Sequence, residues 1–359
     1  MNATERRNWR YVLPSAPKIG YLGWLGHGNL GDEVNFLASQ RLFPTYRLLP
    51  FKSSAKTVWF ERLMRQRLFV ASFLGGGTLI NKREMLESFQ IAQRRYQPSV
   101  VFGTGVADPI FWGQTTGERD SLKEWVACLE ACSFVGVRGP RSKDLLKNAG
   151  FQRAEVVGDP ALFFADDRII PKSGNKLLGV NIGTADNRLW GDERHILEFV
   201  VRLVKVMIEK GYRIVFVPAW EPDLAYIEEA AKRINHADSV TVFRPDESLD
   251  RTMECLRACD LFIGEKLHSV VLALCANTPS LMLAYRPKCL DFMLSMDLDR
   301  FCVRTDRLSL DGIVDLIEEL AQHIESYQLR ISQKATAFHD LQKARAAEIA
   351  DRIGRTLNA

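Results

Sequence analysis

Short apolar runs alternate with longer stretches in which apolar residues recur every three or four positions, and the alternation occurs twice along the chain. Unbroken apolar runs suit parallel strands covered on both faces, and the three-to-four spacing suits helices with one buried face. The first series predicts strands at 19–24, 45–50, 68–74, 99–103 and 134–138, and helices at 33–42, 84–96, 118–131 and 140–148. The second predicts strands at 176–182, 212–218, 239–243, 261–264 and 280–285. Helices at 192–209, 222–235, 249–258 and 270–276 fall between or after them. In helix 192–209 the residues Ile196, Phe199, Val200, Leu203, Val204 and Met207 make one apolar face. A stripe of Ile313, Leu316, Ile317, Leu320 and Ile324 makes the tail, 309–357, helical by pattern.

Two such blocks imply an α/β chain of two doubly wound, Rossmann-like domains facing each other across a cleft. A Pro171–Asn175 linker divides a domain at 1–170 from one at 171–308, and 309–359 forms a C-terminal helical segment. The length, 359 residues, suits two domains.

Composition narrows the function classes. The chain is 47% hydrophobic and 26% charged, ordinary for a globular protein, and its net charge of +4 does not suggest a nucleic-acid binder. No apolar signal core opens the sequence and no apolar run approaches a bilayer span, so the expected location is cytoplasmic. The seven cysteines suggest no disulfide framework. Cys128/Cys132 and Cys255/Cys259 lie four apart without clustered His or Cys nearby, so core packing is expected and a metal is not. The basic, apolar-interleaved stretch 59–68 reads as a solvated helix packing one face, with a membrane-surface patch as the alternative.

Candidate chemistry gathers at strand ends. Glu265-Lys266-Leu267-His268-Ser269 follows a strand and opens a helix, where free N–H groups and the helix dipole favour anions. His268 on its own reads equally well as a structural first-turn residue. Lys288 follows the next strand and brings a second cation to the same rim. Arg138 ends another strand, where a planar guanidinium suits a carboxylate or phosphate, or else sits on the surface and pairs with a neighbouring acid. Gly26-His27-Gly28-Asn29-Leu30-Gly31 matches the dinucleotide glycine pattern, but 46–52 supplies no carboxylate for a ribose. What survives is close backbone approach to an anion or sugar, followed by Asp32-Glu33, where Asp32 is a helix cap or a substrate contact. Gly75-Gly76-Gly77-Thr78 lacks the ending of a P-loop and reads as a tight turn. Gly103–Pro109 reads as turn chemistry at a strand end, and Asp159 as a cap or turn brace.

Taken in order, the motifs at 23–33, 75–80, 103–105, 137–142, 158–162, 179–183, 266–269 and 285–288 resemble the polysaccharide pyruvyltransferase family over about residues 19–290. The resemblance implies a GT-B-like fold with the first domain on the acceptor side and the second on the donor side, phosphoenolpyruvate as donor, a sugar of a cell-surface glycan or its precursor as acceptor, free or lipid-linked, and a cyclic pyruvate ketal as product. It implies no cofactor and no metal. Functional positions would be Asp32, Arg138, His268 and Lys288. On that basis His268 is expected as general acid or phosphate ligand and Asp32 as the group that orients or deprotonates the acceptor. Arg138, Lys266, Lys288 and Ser269 are expected at the donor, and Asn29, Gly31, Glu33, Gly76 and Gly77 at the acceptor. The chain departs from the family pattern at Lys266, where Arg is usual, and at Gly139, where an acid is usual. A sugar-nucleotide glycosyltransferase of the same fold and a non-catalytic glycan-binding or assembly protein are the alternatives.

Overall fold

The computed structural model describes residues 16–51, 67–166, 169, 171–172, 174–244 and 248–358. Most of the basic stretch 59–68 lies outside them. The described residues divide into two compact units. Of the described residues, the first takes those up to His27, those within Asp32–Phe163 and those from Asp340, and the second takes Gly28–Gly31 and those within Phe164–His339. The unit boundary thus falls at 163/164 where the sequence pattern places it at 170/171. The C-terminal helical segment is shared between the units.

The first unit carries strands β1 (Lys18–Leu22), β2 (Arg47–Pro50), β3 (Ala71–Leu74), β4 (Gly77–Ile80), β5 (Ser99–Val106), β6 (Phe134–Val137) and β7 (Glu155–Val156). They form one parallel sheet in the order β2-β1-β3-β5-β6-β7, and β4 also pairs with β5. Helices α1 (Leu30–Leu42), α2 (Arg83–Arg95), α3 (Pro109–Thr116), α4 (Leu122–Glu130) and α5 (Pro140–Asn148) connect them. The unbroken apolar strands still alternate. Leu22, Leu74, Val101 and Val135 enter one core with Phe89, Trp125 and Leu146. Ile19, Tyr21, Phe73, Val100 and Phe102 enter the other with Phe36 and Phe43. The end of the last helix, α12 (Ile324–Asn358), closes that second core with Ala346, Ile349 and Ile353.

The second unit has β8 (Leu177–Asn181), β9 (Arg213–Phe216), β10 (Val240–Val242), β11 (Leu261–Gly264), β12 (Ser280–Ala284) and β13 (Cys302–Arg304). They pair in parallel in the order β10-β9-β8-β11-β12-β13. Its helices are α6 (Glu193–Glu209), α7 (Asp223–Ile234), α8 (Leu249–Ala258), α9 (Leu267–Cys275), α10 (Pro287–Ser295) and α11 (Leu310–Gln322). The predicted apolar face of α6 is buried, and every residue of α9 is buried. Among the described residues no helix is long and apolar enough to cross a membrane.

Several elements differ from the expected ones. Gly77-Thr78 is not part of a turn but the start of β4, so β3 and β4 are two halves of a strand broken at Gly75-Gly76 and both pair with β5. Helix α3 lies where only turn chemistry was legible: Asp108 accepts from the N–H groups of Ile110 and Phe111, Pro109 takes the first turn and Gly117 ends it at φ 72°. Helix α10 likewise starts on Pro287. Helix α9 begins three residues before the expected Val270.

Candidate functional site

In the second unit the site grows from the end of β11. The Lys266 N–H donates to Asn181 Oδ1 at 2.9 Å. Ser269 Oγ lies 3.0 Å from the same oxygen and 2.7 Å from the Lys266 carbonyl. Asn181 Nδ2 donates to the Val217 carbonyl at 2.8 Å. One side chain at the end of β8 therefore ties together β9, the β11 exit and the first turn of α9. Ser269 is spent on this brace.

Lys266 caps α9. A cation at a helix N-terminus opposes the helix dipole, so it needs a counter-charge. Asp223, fully buried at the start of α7, supplies it, with the Lys266 Nζ 3.5 Å from Asp223 Oδ1. The ammonium also donates to the Thr184 carbonyl. The Thr184 N–H donates to Asp223 Oδ1 at 3.2 Å, and the Gly183 N–H donates to Glu265 Oε2 at 3.0 Å. A Cβ on Gly183 would strike both Asp223 and Lys266, so only glycine admits this approach. Burial raises both carboxyls above their ordinary range, Glu265 to about 7, while the Lys266 charge pulls each the other way.

Three cations surround the buried ring of Tyr285. Lys288 Nζ lies 5.0 Å from its centroid, the Arg286 guanidinium 4.9 Å and Lys266 Nζ 5.6 Å. Arg286 is anchored on the carbonyls of Arg188 (2.5 Å) and Ala185 (2.8 Å). Lys288 stands in the first turn of α10, after the strand as expected. The segment 28–31 joins the same unit: the Leu30 N–H donates to the Ala219 carbonyl, Asn29 bridges Trp220, and Asn29 Oδ1 accepts from the Gly31 N–H. A Cβ on Gly31 would fall inside the imidazole of His268, which is 9% exposed. Asn29, Gly31, Lys266, His268, Ser269 and Lys288 thus all belong to this unit.

Asp32, Glu33, Gly76, Gly77 and Arg138 belong to the first unit. Glu33 Oε1 accepts from the Gly26 N–H at 2.8 Å and so holds the glycine loop. A Cβ on Gly77 would sit 3.2 Å from Asp32 Oδ1, and one on Gly76 would meet Asn35. Arg138 is fully buried, not on the surface. Its Nη2 donates to Thr78 Oγ1 at 3.2 Å, and its Nη1 lies 3.9 Å from Asp159 Oδ2. A Cβ on Gly105 would strike the guanidinium. β4, β5 and the turn after β7 therefore meet at one arginine. Asp159 also caps the turn that follows through the Ala161 N–H.

The sequence model of the family described as polysaccharide pyruvyl transferase matches residues 29–287. The chain belongs to this family. No curated protein sequence matches it. Among solved structures it is similar to an S. aureus MnaA–UDP co-structure, with TM-score 0.63 and 12% identity over 95% of this chain and 97% of that one. It is also similar to a Rickettsia africae glycosyltransferase (TM-score 0.59, 10% identity, 94% and 99% covered). A third is a putative UDP-N-acetylglucosamine 2-epimerase from Listeria monocytogenes (TM-score 0.59, 10% identity, 92% and 94% covered). At such identities these likenesses show the fold, two Rossmann-like units of the GT-B type.

Sequence reasoning left Asp223, Glu265, Tyr285 and Arg286 without roles. Glu265 and Arg286 lie directly beside residues that were singled out. Asp223 sits at a helix start 43 residues before Lys266, and only the fold brings the two together. Among the described residues no group of three His, Cys, Asp or Glu could hold a metal ion.

Proposed function

We propose that this family member transfers the pyruvyl group of phosphoenolpyruvate to a saccharide of a cell-surface polysaccharide or its precursor, forming a cyclic ketal. The observation that carries the reading is the cluster of Lys266, Arg286 and Lys288 around Tyr285, at the starts of α9 and α10. Cations and helix N-termini suit a ligand with both a carboxylate and a phosphate.

The chemistry requires a proton delivered to the donor's CH2 carbon, which makes C2 oxocarbenium-like. One sugar hydroxyl adds to C2 and a second displaces phosphate. Of the two hydroxyl protons, one balances the proton given to carbon and the other leaves with phosphate. His268 is proposed as the general acid or a phosphate ligand, Lys266 and Lys288 as donor ligands, Arg138 as a further anion ligand, and Asp32 as the group that orients or deprotonates the acceptor. Gly31 sets how closely the chain approaches His268. Ser269, Asn29 and Glu33 act through the backbone they hold.

The test is phosphate release from phosphoenolpyruvate with a panel of saccharide acceptors, with the ketal identified by mass. Acceptor-dependent release is expected. Stabilisation by a sugar nucleotide, with no response to phosphoenolpyruvate, would overturn the reading in favour of glycosyl transfer.

A further inference from the structure

Behind the cations lies a carboxyl that the proposed chemistry does not use. Glu265 is fully buried, and its Oε1 has no hydrogen-bond partner among the described residues, while Oε2 accepts from the Gly183 N–H. An ionised carboxylate oxygen in that position is costly to keep, and protonation removes most of the cost. The groups that act on it electrostatically come from several elements. Lys266 follows it in the chain, Asp223 opens α7, and Glu193 lies in the first turn of α6. Tyr226 of α7 and Tyr285 at the end of β12 also sense its charge. Lys266 alone among these favours the ionised form, and Asp223 already engages its ammonium.

We propose that Glu265 is a positioning residue that couples anion binding to proton uptake, holding a proton whenever an anion occupies the Lys266–Lys288 site. This rests on that site being the anion site of the proposed function. An anion beside Lys266 adds negative charge close to Glu265 and draws the ammonium towards itself. Both effects disfavour the Glu265 carboxylate. A proton taken up on binding requires, by linkage, that binding weaken as pH rises. With Glu265 neutral, one carboxylate fewer opposes the cations and the site keeps its positive charge for the ligand.

Sulfate is the probe, because its charge stays constant across the range and it brings no titration of its own. Calorimetric titration of the full chain in buffers of different ionisation enthalpy gives the protons taken up. Uptake near pH 7 is expected in the wild type, with affinity falling by up to about tenfold per pH unit above it. Glu265→Gln should bind sulfate without that uptake and with a flat profile. Uptake that persists unchanged in Glu265→Gln overturns the proposal, since it then comes from another group such as His268. The infrared difference spectrum of the wild type on sulfate addition needs no variant: a growing carboxylic-acid carbonyl band supports the coupling, and its absence overturns it. If phosphoenolpyruvate is never consumed yet Glu265-dependent uptake persists, pyruvyl transfer falls and the coupling stands supported. Failure of sulfate to bind overturns the coupling together with the anion site.

Discussion

Arg138 and Asp159 face each other 3.9 Å apart, both fully buried in the first unit. The Gln342 side chain of α12 donates to the carbonyls of Val157 and Asp159 at 3.0 and 2.9 Å, so the last helix holds the acid in place. Removing one partner of a buried pair strands the other charge, which costs about 3–5 kcal/mol. Asp159→Ala should therefore destabilise the first unit on that scale, and Asp159→Asn by less. Urea unfolding followed by far-UV circular dichroism checks this. An unshifted Asp159→Ala transition would show that the pair carries no such weight.

Gly31 has no room for a side chain on its His268 side. Gly31→Ala must therefore shift the imidazole or the 28–31 segment. Misplacing a reacting group by about 1 Å costs on the order of a hundredfold in rate. A loss of that size is expected in pyruvyl transfer, with an unchanged thermal transition. His268→Ala should lose at least as much, and near-normal transfer by that variant would remove His268 from the chemistry.

Much of the strand–helix order was legible because fully buried strands and one-sided helices leave different periodicities, as in 261–264 and α6, whereas β4, β13 and α10 were not read. Helix α3 was not legible, because Asp108-Pro109 signals a turn and a helix start equally well, and a helix of eight residues is too short to show a period. At the site, Lys266 could be read as a cation at a strand end. That its partner is Asp223 could not, because the pairing depends on how β8 and β9 lie beside β11. Arg138 read as a ligand or a surface ion pair. The third outcome, a buried ion pair walled by Gly105, needed the register of β5 against β6.

Lys266 serves the fold and, on the proposed function, the donor. Lys266→Met leaves Asp223 buried without its cation, and loss of stability of about 3–5 kcal/mol is expected. The double variant Lys266→Met/Asp223→Asn should recover much of that stability, because no charge is left stranded. It should not recover the donor site. A charge-assisted hydrogen bond is worth roughly 1.5–3 kcal/mol, so the KM for phosphoenolpyruvate should rise by about ten- to a hundredfold in the double variant. A stable double variant with an unchanged KM would take Lys266 off the donor.

Burial of Glu265 also makes stability depend on pH, without any ligand. The folded chain holds this proton up to about pH 7, against 4.5 for an ordinary glutamate. Between those values the folded state binds more protons than the unfolded one, so stability falls as pH rises through the window. The contribution is complete below about 4.5 and gone above about 7, and its size is about 3 kcal/mol. Asp223, also raised by burial, adds in the same direction. The carboxyls Asp306, Glu319 and Asp351, held low by their arginine partners, act with the opposite sign and at more acid pH. Glu265→Gln keeps an acceptor for the Gly183 N–H and has nothing to titrate. The wild type should lose stability relative to Glu265→Gln between pH 5 and pH 8, read as diverging denaturation midpoints. Parallel midpoints across that range would mean that Glu265 is ionised in the folded protein at pH 5, despite its burial.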